Sequence, residues 1–119
     1  MDSILNSIKK LLGITEDYTP FDTDIIIHIN SAFSILTQLG IGPPNGFSIS
    51  DSAAKWSDYI RDATTIEMVK TYVYLKTKLI FDPPLNSSVT ASIEKTVSEL
   101  EWRLSISVME EENEQNTSE

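Results

Sequence analysis

The residues whose types and spacing could do chemistry are few: the one histidine, His28, and two carboxylate pairs, Asp22 with Asp24 and Asp58 with Asp62. A single imidazole excludes a histidine-pair metal site, and any Ser/His/Asp arrangement would have to be built around this one ring. His28 flanks apolar Ile25, Ile29 and Leu36, the ordinary setting of a histidine at the edge of a core, so it is given no role. Asp58 and Asp62, at i and i+4, would share a helical face, where paired carboxylates can move protons or hold a divalent cation. Without a histidine or cysteine partner, capping and solvation account for all four carboxylates. Gly40, Gly42 and Gly46 are interleaved with prolines and match no phosphate-binding loop. Lys70, Lys76 and Lys78 bracket Tyr72 and Tyr74, a composition seen in single-strand nucleic-acid grooves, but a solvated face beside acidic neighbours explains them more simply. The expectation is a chain that is not an enzyme, with no catalytic, cofactor-binding or metal-ligating residue.

Composition narrows the class further. The 119 residues suit one domain, and 40% hydrophobic content can build a core. A core of this size leaves modest stability, which assembly could supplement. Eighteen acidic residues against nine basic ones give a net charge of -9, the opposite of what phosphate gripping requires. With no cysteine, disulfides and thiolate metal sites are excluded and a cytosolic origin fits. Met1 to Leu12 lacks the apolar run of a signal peptide, and the stretch Ile25 to Ile29 is far shorter than the roughly 20 residues of a membrane span.

Helical periodicity sets the elements that must position any site. Ile4, Leu5, Ile8, Leu11 and Leu12 form a stripe on a first helix from about Ser3 to Leu12, with Gly13 just past it. A polar connector leads to Asp22 as N-cap of a second helix, whose stripe is Ile25, Ile29, Ala32, Phe33 and Leu36 and whose stop is Gly40. Ile41 to Ser57 breaks the pattern as a long loop with room for a short strand near Phe47 to Ser50. Trp56 to Asp62 suits a helical turn, after which Thr64 and Glu67 form a capping box for a third helix reaching Phe81, ended by Asp82, Pro83 and Pro84. A fourth helix from about Ser88 to Val108 carries Val89, Ile93, Val97, Leu100, Leu104 and Val108 on one stripe, leaving Trp102 and Ile106 off it. Residues 109–119 hold five glutamates and almost nothing apolar, so they read as a disordered acidic tail. The fold class is therefore all-α: a bundle of about four helices over residues 1–108, with a long loop between helices two and three and an acidic tail over 109–119.

In this order, FDTDIIIHIN (Phe21 to Asn30), LTQLGIGP (Leu36 to Pro43), WSDYI (Trp56 to Ile60), VKTYVYLKTKLIFDPP (Val69 to Pro84) and LEWRL (Leu100 to Leu104) resemble the head-tail connector, or head-completion adaptor, proteins of tailed bacteriophages. The likeness spans residues 1 to about 108. It implies a virion protein at the head-tail interface, assembled in the bacterial host cytoplasm, that forms a homo-oligomeric ring, expected to be a dodecamer. It further implies docking on the portal protein, contact with a downstream stopper or tail-completion protein, and a channel through which DNA passes without tight binding. The family has no catalytic residues to carry over.

Two surfaces are the candidate subunit or portal contacts. A long loop with apolar Ile41, Phe47 and Ile49, followed by Trp56, has little reason to stay solvated. Trp102, Arg103 and Ile106 lie off the main stripe of the last helix, and tryptophan and arginine dominate interface energetics. The alternative function is a small acidic helical regulator, such as an inhibitor imitating DNA charge, which would stay a monomer or dimer and bind another protein.

Overall fold

The structure is a computed structural model that describes residues 3–60 and 62–117. Its elements are α1 (Ile4–Leu11), α2 (Asp22–Gln38), α3 (Trp56–Tyr59), α4 (Ala63–Phe81) and α5 (Ser87–Thr117). α4 is the central element, packed on one side by α1 and α2 and on the other by α5. Two-sided packing explains why its apolar residues, buried Ile66, Val69 and Val73 on one side and partly buried Met68, Leu75 and Leu79 on another, cover more than one face.

Local chemistry sets each boundary. The Ser3 hydroxyl accepts from the Asn6 amide at 3.2 Å and caps α1. α2 ends in a Schellman motif: the Ile41 amide donates to Leu36 O at 2.9 Å and the Gly40 amide to Thr37 O at 3.0 Å, with Gly40 at φ +86°. α4 is capped by Asp62, whose carboxylate accepts from the Thr64 amide at 3.0 Å and the Thr65 hydroxyl at 2.8 Å. The Thr64–Glu67 capping box expected from sequence is thus displaced by a stronger cap two residues earlier. Asn86 accepts from the Ser88 amide at 2.8 Å where α5 begins.

The stripe read for α2 is buried at every position: Ile25, Ile29, Ala32, Phe33 and Leu36. That of α1 holds at Ile4, Leu5 and Ile8, but Leu11 is 54% exposed and the residue buried beside Ile8 is Lys9. Asp22 is correspondingly not the cap of α2. It occupies the first helical position, Phe21 stands at the cap without a side-chain bond, and the carboxylate faces Lys9.

On α5 the stripe is buried at Val97 and Leu104, partly buried at Ile93, Leu100 and Val108, and open at Val89. The helix does not stop at Val108. It continues to Thr117, so the boundary expected between bundle and tail falls inside a helix. Glutamate, glutamine and methionine favour helix, and neither glycine nor proline interrupts the segment.

The loop between α2 and α3 forms no strand; among the described residues the one β feature is an isolated bridge between Ser3 and Lys55. Asn30 takes the place of a strand partner. Its side-chain amide donates to Ile49 O at 2.9 Å, and its carbonyl accepts from the Ile49 amide at 2.7 Å. Phe47 and Tyr59 close over Phe33 with ring centroids 5.1 and 4.7 Å away.

Candidate assembly surface

The sequence-level candidates for chemistry are occupied structurally. His28 is half-buried on α2. Asp58 and Asp62 do not share a helical face, because α3 ends at Tyr59: Asp58 accepts from the Lys55 amide at 2.9 Å, and Asp62 caps α4. The Thr65 hydroxyl and the Thr64 amide hold the Asp62 carboxyl below the usual carboxylate range. Tyr72 is fully buried, its hydroxyl donating to Glu101 at 2.9 Å, so no aromatic platform runs between the lysines of α4 there. Burial, then the Glu101 hydrogen bond and charge, push its phenol pKa up. Among the described residues no cluster of His, Cys, Asp and Glu could hold a metal ion, and no helix is long and apolar enough to cross a membrane.

The seven candidate contact residues divide into two groups. Ile41 is 4% exposed, Ile49 5% and Trp56 0%, and Phe47 packs between Phe33 and Tyr59. These four are the residues expected to face a neighbouring subunit; within the chain Ile41, Ile49 and Trp56 are buried and Phe47 is partly buried against the same core. The Trp56 indole N–H donates to the Ser7 hydroxyl at 2.8 Å, tying α3 to α1. Sequence spacing could not reveal this, because the loop's partner, the face of α2 around Phe33, is distant along the chain.

The second group stays at the surface. Trp102 is 64% exposed, Ile106 is half-buried, and Arg103 pairs with Glu99 of its own helix at 2.7 Å. With Met68, Thr65 and Asp62 from the start of α4, and Glu110 further along α5, they line an open groove of about 540 Å³. Met109 beside it is 60% exposed. The groove brings apolar Met68, Trp102 and Ile106 together with charged Asp62, Arg103 and Glu110.

A further apolar edge escaped the sequence reading. Tyr18 stacks on Phe21 at 5.7 Å and Phe21 on Phe81 at 5.4 Å, with Tyr18 and Phe21 49% and 41% exposed. Their clustering depends on the α1–α2 connector meeting the end of α4, which no local spacing encodes.

No curated protein and no solved structure matches the chain. A family model described as "Phage connector protein" matches residues 4–111, almost the whole helical body from the first residue of α1 to beyond the Trp102 groove, and the chain belongs to that family.

Proposed function

We propose that the protein is a structural head-tail connector subunit that joins identical copies into a ring beneath the phage portal and extends the DNA channel. The observation that carries this reading is the family match across residues 4–111. The exposed face of α5 is its point of subunit or portal contact, because Trp102, Arg103 and Ile106 are turned away from the stripe that packs on α4. In the virion the expected ring is a dodecamer, meeting the portal on one side and a stopper or tail-completion protein on the other. Assembly takes place in the host cytoplasm. The role is architectural, with no cofactor and no reaction.

Electron microscopy of the purified chain, alone and mixed with portal, tests the proposal. Rings, or density seated on the portal, support it. A chain that stays a monomer or dimer, ignores the portal and captures another protein returns the acidic-regulator alternative instead.

A further inference from the structure

A subunit that assembles head to tail needs two different complementary surfaces, whereas a two-fold dimer needs only one. The Trp102 groove supplies one of them, and its charge indicates what the other must be. Its rim holds Asp62 and Glu110, and among the described residues that line it the cation is Arg103, which is paired with Glu99. Beyond it the sequence adds Glu111, Glu112, Glu114 and Glu119 without a single basic residue. Among the described residues, this face presents exposed Trp102 and Met109 beside the carboxylates of Asp62 and Glu110.

In a chain of net charge -9, cations able to answer that field are scarce. Lys9 is buried against Asp22 and Lys78 is paired with Asp82, whereas Lys55 and Lys95 are exposed and Lys76 is half-buried. Lys10 and Lys70 are brought together: with Ser3, Ser7 and Leu11 they line a groove of about 450 Å³ between α1 and α4, where Glu16 is the carboxylate among the described lining residues. Lys10 is exposed, and Lys70 lies 3.6 Å from exposed Glu67 with its ammonium 6.0 Å from the centre of the Trp56 ring. Leu11, 54% exposed between the lysines and solvent, gives this patch an apolar centre of its own.

The two patches face apart. Met68, in the Trp102 groove, and Lys70, in the lysine groove, are two residues apart on α4 and therefore about 200° around it. Surfaces so placed cannot meet within one chain but can meet between successive copies. We infer that the Lys10–Leu11–Lys70 surface of one copy is the seat for the acidic Trp102 face of the next copy. The inference rests on the ring reading above and names the neighbour's side of the contact. Apolar contact between Leu11 and the Trp102–Met109 surface supplies attraction, and the lysines supply register and a salt-dependent association.

Sedimentation velocity on the full chain at low and high salt tests it, with circular dichroism checking that each variant is folded. Lys10→Glu combined with Lys70→Glu should weaken self-association by about ten-fold or more, and adding Glu110→Lys should restore part of the loss. Trp102→Ala should weaken it independently of salt. If Trp102→Ala abolishes association while the lysine reversal changes nothing, the lysine seat is wrong and the Trp102 face stands. A chain that is monomeric at low salt also overturns the seat, whereas portal-bound rings would still uphold the connector reading. If neither substitution affects an association that does occur, both readings of these surfaces fall.

Discussion

Lys9 Nζ lies 2.8 Å from Asp22 Oδ1, with the lysine side chain 1% exposed and the aspartate 26%. The ammonium also donates to Glu16 O at 3.0 Å, so the α1–α2 connector folds around one buried cation. Desolvating such a pair costs about as much as its attraction returns, but removing one partner strands the other. Asp22→Ala should therefore cost about 3 kcal/mol by leaving Lys9 buried without its counter-charge. Lys9→Met, which keeps the packing and frees a carboxylate that can still reach water, should cost less. Urea denaturation of both variants decides it, and equal losses would show that the pair acts as a simple mutual bond.

Asn30 and Ile49 make a second relationship of this kind. One side chain satisfies both backbone groups of a loop residue that is itself 5% exposed. Asn30→Ala would leave a buried N–H and a buried C=O unpaired, an expected loss of about 2 kcal/mol or more. Hydrogen exchange at the Ile49 amide should accelerate beyond what that global loss explains. Unchanged exchange there would mean the loop is held by its aromatic residues alone.

These two contacts mark where sequence reading ran out. The α2 stripe was legible in full because a 3.6-residue period of apolar side chains has one packing solution, and α4 was recognisable as central because its apolar residues ring the helix. Burial of Lys9 was not legible, since it depends on a partner delivered by a connector with no periodicity. The loop's apolar residues have no periodicity to name their intrachain neighbour, and the structure sets Phe47 and Tyr59 against Phe33. At the surface the opposite held: Trp102 could be placed off the α5 stripe by spacing alone, whereas the lysine groove requires α1 and α4 to be brought side by side.

Gly42 has φ +83° and its missing side chain is replaced in space by Tyr59: a Cβ there would sit 2.5 Å from the ring. Tyr59 is fixed in turn by its hydroxyl, which donates to Ile41 O at 3.2 Å. Gly13 has the same φ with nothing within 4 Å. The backbone cost of alanine, about 1 kcal/mol, is common to both, so Gly42→Ala should lower the melting temperature clearly more than Gly13→Ala. Equal shifts would show that Tyr59 yields freely and that the loop is less firmly seated than its packing indicates.

If copies of the chain form the proposed ring around DNA, the net charge of -9 bears on its channel. An acidic wall repels DNA over the Debye length of about 8 to 10 Å near physiological salt, which favours sliding over sticking. The purified protein should show no appreciable duplex binding at physiological salt in a fluorescence anisotropy titration. Tight binding there would contradict a passive channel lining.

Trp102 gives the most direct test of the assembly surface. Its side chain is 64% exposed, while Leu104, two residues on and on the buried stripe, is 0% exposed, so one helix presents a buried and an open face. Trp102→Ala should leave folding stability nearly unchanged, because little apolar area is lost from the core. If the face binds a neighbour or the portal, the same substitution should cost about 2 kcal/mol of association, about 30-fold in affinity. Leu104→Ala should do the reverse, costing about 3 kcal/mol of folding stability through the cavity it leaves. Comparing the two by thermal melts and by portal binding separates core from contact. Truncation after Val108 then asks whether the acidic end of α5 contributes: weaker binding with intact folding assigns it to the interface, and unchanged head completion leaves it a solubilising extension. A Trp102→Ala chain that unfolds would put the residue in the core, and one that folds and assembles normally would leave α5 without a contact there.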